Sequence, residues 1–225
     1  MSQGFFVTGT DTGVGKTLIA CALLRGFAAR GLRAIGMKPV AAGASWVEGC
    51  LKNDDVSALK AASNVSAPHD FINPYCFEAP IAPHIAASLA GVDIDLKRLH
   101  AAYEELSRVA DCVVVEGAGG FQVPLSAHDD TADLARRLHL PVVLVVGLRL
   151  GCINHALLTA AAIEAAGQPL AGWVANHIDP SMLYQDENVQ AIEARLSAPL
   201  LGRIAHSAAP QPDRVASLLY IQQLL

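Results

Sequence analysis

Phe5-Phe6-Val7-Thr8-Gly9-Thr10-Asp11-Thr12-Gly13-Val14-Gly15-Lys16-Thr17 is the stretch from which the rest of the chain can be read. The apolar run Phe5–Thr8 predicts a strand, the glycines a turn, and the segment from about Thr17 to Arg30 a helix. Glycines let a backbone curl so that successive N–H groups point inward at a phosphate, and the helix N-terminus adds partial positive charge. Gly13, Val14, Gly15, Lys16, Thr17 and Leu18 are therefore candidate nucleotide contacts. Lys16 is placed to reach the β- and γ-phosphates, and the Thr17 hydroxyl suits a magnesium ion. Five residues separate Gly9 from Gly15, where the common motif has four. A ligand-free strand-to-helix turn is the plain alternative, and the Gly-Lys-Thr ending argues against it.

Outward from this stretch, short apolar runs alternate with longer amphipathic segments. Leu32–Met37, Cys112–Val115, Val142–Val146 and Gly172–Ala175 predict further strands. Helices are expected near Val56–Ala62 and His84–Leu89, at Leu96–Val109 with Asp95 as N-cap, and from about Asn154 to Ala166, stopping at Gly167. Ala41 to Gly91 otherwise reads as irregular. Strands that are apolar throughout belong to a mostly parallel sheet covered on both faces. The order predicts an α/β, doubly wound sheet of the P-loop type, one domain over residues 1–225, with ligands beyond the carboxyl ends of the strands.

Composition bounds the partners. The 225 residues carry 16 Lys+Arg against 21 Asp+Glu, a formal net charge of −5, which argues against nucleic acid or an anionic membrane. Residues are 52% apolar and 16% charged, enough for a large core and a buried subunit interface. The N-terminus, Met1-Ser2-Gln3-Gly4, has no leader-like pattern, and the apolar run Pro141–Val146 is far too short to span a bilayer. The five cysteines are dispersed with no CxxC spacing. Free buried thiols in a reducing cytoplasm are the expectation.

Further motifs fall at strand ends. Val113-Val114-Val115-Glu116-Gly117-Ala118-Gly119-Gly120 places a carboxylate after a buried strand, where it can hold Mg²⁺ beside a phosphate loop; the alternative is a helix cap and a plain turn. Lys38, before Pro39, is either a surface lysine or a second cation for an anionic substrate. Asp54 or Asp55 is read as an N-cap or as the completion of a magnesium site. Asn176 offers an amide to a base edge. The eight histidines show no HxH or HExxH spacing.

Together these motifs resemble the dethiobiotin synthetase family over nearly the whole chain. The resemblance rests on Phe6–Thr17, Lys38-Pro39-Val40, Asn73-Pro74-Tyr75, Ala82-Pro83-His84 and Val115–Gly120. It continues through Leu150-Gly151-Cys152-Ile153-Asn154-His155, Gly172–Asn176 and Ala198–Gly202. The long phosphate loop is that family's spacing. The resemblance implies a cytoplasmic homodimer that uses MgATP and CO₂ or bicarbonate to close a ureido ring on 7,8-diaminopelargonic acid, through a carbamate and a carbamic-phosphoric anhydride. It implies Lys16 and Lys38 as catalytic groups, and Thr17, Asp55 and Glu116 as magnesium ligands, with Asp54 as the runner-up for Asp55. Gly117, Ala118, Gly119, Asn176, His177, Ala205, His206 and Ser207 join the nucleotide site. Thr12, Lys38, Ala42, Gly151, Cys152, Ile153 and Asn188 face the diamine. Some members have a serine where Ala42 stands and a tyrosine near Asn188, so those substrate contacts differ here.

Other classes share the fold. A MinD/ParA-like switch ATPase carries an additional lysine where Asp11 stands, and an amidoligase needs an ammonia source. A regulatory relative of the family tends to lose Lys38 or Glu116, and both are present.

Overall fold

The computed structural model describes residues 3–225, so Met1 and Ser2 of the N-terminal stretch lie outside the described residues. The chain forms β1 (Gln3–Gly9), α1 (Lys16–Ala28) and β2 (Ala34–Met37). Short elements follow: β3 (Val40–Ala42), β4 (Ser45–Val47), β5 (Cys50–Lys52), α2 (Asp54–Ala62), α3 (His69–Ile72), β6 (Tyr75–Phe77) and α4 (Pro83–Leu89). The next elements are α5 (Leu96–Val109), β7 (Cys112–Glu116), α6 (Thr131–Leu138), β8 (Val142–Leu148) and α7 (Cys152–Ala165). The last are β9 (Leu170–His177), α8 (Gln185–Glu193), β10 (Leu200–Ile204), α9 (Pro212–Ala216) and a 3-10 turn at Ile221–Leu224.

Six strands pair in the order β10-β9-β8-β1-β7-β2, all in parallel. Alternate residues of each strand point to opposite faces, and both faces are covered. Phe5 and Val7 pack with α1, where Phe5 stacks on Phe27 with ring centroids 5.7 Å apart. Phe6, Val113 and Val115 join the opposite core with Leu99, Leu106 and Leu134. Leu144, Val146 and Trp173 bury against α7 and α8. Double coverage is why these strands read as unbroken apolar runs. After β1 the chain winds to β2 and back to β7, then crosses to β8 on the other side of β1. That reversal opens a crevice at the carboxyl ends of the strands flanking β1, the usual ligand position in such sheets.

The helix at Leu96–Val109 forms as expected, with the Asp95 side chain accepting from Lys97 N–H at 2.7 Å. Several readings need correction. The second strand begins at Ala34 rather than Leu32, because Leu32 N–H still bonds Phe27 O at 3.2 Å and completes the turn that ends α1. Asn53, not either aspartate, caps α2 through its side chain to Val56 N–H at 3.3 Å. The stretch read as irregular holds the parallel pair β3–β6 and the antiparallel hairpin β4–β5. The structure adds helix α6, with an Asp130/Asp133 capping box, and edge strand β10, whose apolar pattern is broken by Gly202 and Arg203; Cys50, on the β4–β5 hairpin, is exposed rather than buried.

Candidate functional site

The phosphate loop spans β1 and α1 in a conformation that glycine makes accessible. Gly13 and Gly15 take φ of 74° and 93°, in the left-handed region that side chains disfavour. At Gly15 a Cβ would also lie 2.3 Å from Asn176 Nδ2. Asn176, buried at the end of β9, donates from Nδ2 to Val14 O at 2.8 Å and so clamps the loop from below. Its amide is therefore partly committed to the loop.

Lys16 arches back and donates to Asp11 O at 2.8 Å. Burial, aided by the neighbouring Lys38 charge, lowers its pKa to about 8. Behind it lies a compact polar centre. Thr17 Oγ1 stands 2.8 Å from both Asp55 Oδ1 and Glu116 Oε1. Lys38 Nζ donates to Asp55 Oδ2 at 2.8 Å and to Glu116 Oε1 at 2.6 Å, and lies 3.4 Å from Gly117 O. Lys38 is 4% exposed and Glu116 1%, so this is a buried ion pair rather than the surface lysine of the alternative reading.

Burial opposes the Lys38 charge, but Glu116 and Asp55 outweigh it and hold the pKa above the usual lysine value. Burial pushes the Glu116 carboxyl up against the pull of Lys38. Asp55 resists its own partial burial, because Lys38 and the Thr17 hydroxyl hold its carboxyl below the usual range. Glu116 Oε2 has no hydrogen-bond partner among the described residues.

Local structure explains each position. The Asn53 cap starts α2 so that Asp55 turns toward Thr17, while Asp54, about 100° round the helix, is exposed. Lys38 leaves β2 with its backbone held on both sides: its N–H bonds Ile72 O at 2.8 Å, and Asn73 Nδ2 donates to its carbonyl at 2.7 Å. Asn73, read from the sequence only as part of a family motif, thus positions Lys38. After β7, Gly119 has φ 64°, and a Cβ there would come 3.6 Å from Thr12 Oγ1, so the Gly117–Gly119 turn lies against the exposed Thr12.

Two further groups form around this centre. Gly151, Cys152 and Ile153 begin α7, and Cys152 Sγ lies 3.8 Å from Asn188 Oδ1 on α8. On the other side, Ala42 O accepts from Asn53 Nδ2 at 3.2 Å. His177, Ala205 and His206 line a cavity of about 430 Å³ that neither Asn176 nor Ser207 lines. His177 Nδ1 is 2.6 Å from Gln185 Oε1 there. One contact carries no signal in the sequence: the guanidinium of Arg149, just past β8, bonds the Asp11 carboxylate.

Chemically, two carboxylates and a hydroxyl beside an anion-binding loop can hold a hard divalent cation, with phosphate and water completing its shell. The unpartnered Glu116 oxygen and the all-oxygen donor set fit such an ion. Lys38 adds a firmly held positive charge, and Lys16 a second that its lowered pKa makes titratable.

A family model described as an AAA domain matches residues 3–212. The chain is 56% identical over 217 residues, 96% of each chain, to a protein of Aromatoleum aromaticum named ATP-dependent dethiobiotin synthetase BioD. A protein of Nitrosospira multiformis with the same name is 55% identical over 227 residues, covering 100% of this chain and 97% of the relative. Among solved structures, a ParA family ATPase from Chlorobium tepidum TLS superposes with TM-score 0.55 at 14% identity, covering 92% of this chain and 84% of that one. The Aquifex aeolicus MinC:MinD complex gives 0.54 at 15%, covering 92% and 82%. At such identity the likeness is one of fold, the P-loop ATPase α/β sheet.

Proposed function

The chain belongs to the AAA-domain family and, within it, to the ATP-dependent dethiobiotin synthetases, and from that premise we propose how its residues carry the reaction. The observation that carries the reading is the buried Lys38 held between Asp55 and Glu116, directly behind the phosphate loop. The substrate, 7,8-diaminopelargonic acid, presents two neighbouring amines. One takes up CO₂ as a carbamate, and the γ-phosphoryl group of ATP is transferred to a carbamate oxygen. The second amine then attacks the carbonyl carbon, expelling phosphate and closing the ureido ring.

The chain's part is to position and to supply charge. The loop N–H groups and Lys16 hold the triphosphate, and Lys16 follows the phosphoryl group as it moves. Lys38 holds the carbamate and offsets the charge spread over the transferred oxygens. Thr12 brings the diamine close to the loop, and Gly117, Ala118 and Gly119, whose turn lies against Thr12, border the nucleotide. The start of α7 at Gly151, Cys152 and Ile153 faces the distal carboxylate, with the N–H groups of Gly151 and Ile153 turned to it, since that of Cys152 bonds Arg149 O at 3.0 Å. His177, Ala205, His206 and the neighbouring Ser207 flank the base, with Asn176 holding the loop beneath it.

Thr17, Asp55 and Glu116 would hold magnesium, which when bound neutralises phosphate charge during transfer. Glu116→Gln and Asp55→Asn each remove a hard anionic ligand. Both variants should need several-fold more Mg²⁺ for half-maximal activity, roughly tenfold for one lost carboxylate. A magnesium titration at fixed ATP checks this, and a defect that excess Mg²⁺ does not relieve would remove the metal role.

The exposed Leu158 on α7, with Leu150 just before that helix and Leu183 and Tyr184 just before α8, supports a homodimer joined through this face. The use of ATP and a biosynthetic substrate supports a place in the cytoplasm. Among the described residues, no helix is long and apolar enough to cross a membrane.

The deciding experiment incubates the protein with MgATP, bicarbonate and the diamine and reads ADP and dethiobiotin, with sedimentation reporting the assembly. Diamine-dependent ADP release with matching product supports the proposal. ATP hydrolysis indifferent to the diamine would point to a switch ATPase instead.

A further inference from the structure

Arg149 stands where the loop after β8 meets the phosphate loop. We propose that it is a positioning residue that ties these two loops together through Asp11 and supplies the counter-charge that lets Asp11 stand beside a polyphosphate. The inference rests on the reading of the phosphate loop as the nucleotide site.

Asp11 is a hub of three contacts. One carboxylate oxygen accepts from the Arg149 guanidinium. The other accepts from Thr12 N–H at 2.7 Å. Its main-chain oxygen accepts from Lys16 Nζ at 2.8 Å. Arg149 therefore touches, through one residue, both the threonine assigned to the diamine and the lysine assigned to the phosphates. Its own carbonyl accepts from Cys152 N–H at 3.0 Å, at the start of α7. One residue thus links the phosphate loop, by its side chain, to the Gly151–Ile153 turn, by its backbone.

The surroundings reinforce that register. Thr10 N–H bonds Val145 O at 3.0 Å, and Gly147 N–H bonds Thr10 Oγ1 at 3.3 Å. A Cβ at Gly147 would lie 2.6 Å from Val14 Cγ1, so the end of β8 packs directly on the loop. What this backbone contact does not provide is charge. Asp11 is the only acidic residue between Gly9 and Thr17, and an unpaired carboxylate there repels each incoming phosphate. Arg149 cancels that repulsion at short range. Both side chains are about half exposed, 42% for Arg149 and 46% for Asp11. A pair so exposed adds little to folding, so its effect belongs to binding.

The test uses Arg149→Gln, Arg149→Lys, Asp11→Asn and the double variant Asp11→Asn/Arg149→Gln in the full chain, titrated with a fluorescent ATP analogue and Mg²⁺. Arg149→Gln should weaken nucleotide binding about tenfold, the scale of one uncompensated charge near an anion. Arg149→Lys should restore most of the loss. The double variant should return to within about threefold of the unaltered protein, because neither charge remains. Unchanged affinity in Arg149→Gln, or losses in the double variant that simply multiply, would overturn the proposal. So would an Arg149→Gln chain that melts well below the unaltered one and is not rescued by Asp11→Asn. The titration contains no diamine, so a failure to make dethiobiotin would sink the reaction assignment and leave this result standing.

Discussion

Lys38→Ala should remove nearly all dethiobiotin formation while leaving most nucleotide affinity in place. The lysine reaches the crevice from β2, not from the phosphate loop, and its ammonium lies among Asp55, Glu116 and Gly117 O. On the same proposal the triphosphate would have its own ligands in the loop N–H groups and Lys16. On the proposed role, the variant loses the charge that would hold the carbamate and balance the oxygens during transfer, so kcat and diamine use should fall together. The expected loss is at least a hundredfold, the scale for one donor aimed at developing charge. Removing the lysine also leaves Glu116 buried without its partner, a cost of about 3–5 kcal/mol when a buried pair is broken. Lys38→Met, which keeps the packing volume, and Lys38→Ala/Glu116→Gln, which removes both charges and is melted and assayed in excess Mg²⁺ beside Glu116→Gln alone, separate that folding cost from the chemistry. Nucleotide titration beside product formation is the measurement. Parallel loss of both in all three variants would make Lys38 a structural residue.

Lys16→Ala should lower kcat by about a hundredfold or more and, unlike Lys38→Ala, should weaken nucleotide binding as well. Its pKa near 8 adds a signature. The sign follows from the two states. An unfolded lysine keeps its proton to about pH 10.4, so between roughly pH 8 and that value the unfolded chain holds a proton that the folded one has released. This group's contribution to stability therefore rises with pH across that window, and below it the charged form is carried at a cost. A phosphate beside Nζ favours the ammonium. Nucleotide binding at pH 9 should thus take up protons, and affinity should fall as pH rises through 8. Calorimetry in buffers of different ionisation enthalpy measures the uptake, which Lys16→Ala should abolish. A near wild-type rate in that variant would remove Lys16 from the transfer step.

Some features are set locally and can be read without the fold. The phosphate loop is continuous in sequence, and its glycines, lysine and threonine act within one turn of each other, so residue order alone implies an anion site. The buried strands are legible for the same reason: a doubly covered sheet needs runs such as Cys112-Val113-Val114-Val115, with both faces apolar. Helix α5 shows its apolar period and its Asp95 cap in a single window. Short elements carry no comparable signal. Strands β3 to β6 are three residues each, and their pairing depends on partners up to 35 positions away, as in Val40 with Tyr75.

The centre of the site is of that second kind. Composition offers two adjacent aspartates, and only the Asn53 cap turns Asp55 rather than Asp54 toward Thr17. Lys38 looks like any lysine until β2, Asn73 and the end of β7 enclose it with Glu116, 78 residues further on. Asn176 reads as a free amide, yet the sheet order carries β9 under the phosphate loop and commits its Nδ2 to Val14. Arg149 and Asp11 are 138 positions apart and meet because β8 lies beside β1. Sequence by itself determined the kind of ligand and the kind of sheet, since each rests on residues that act as neighbours along the chain. Which charge faces which was decided only by tertiary structure, because Coulomb interactions and hydrogen bonds depend on distances that strand order sets.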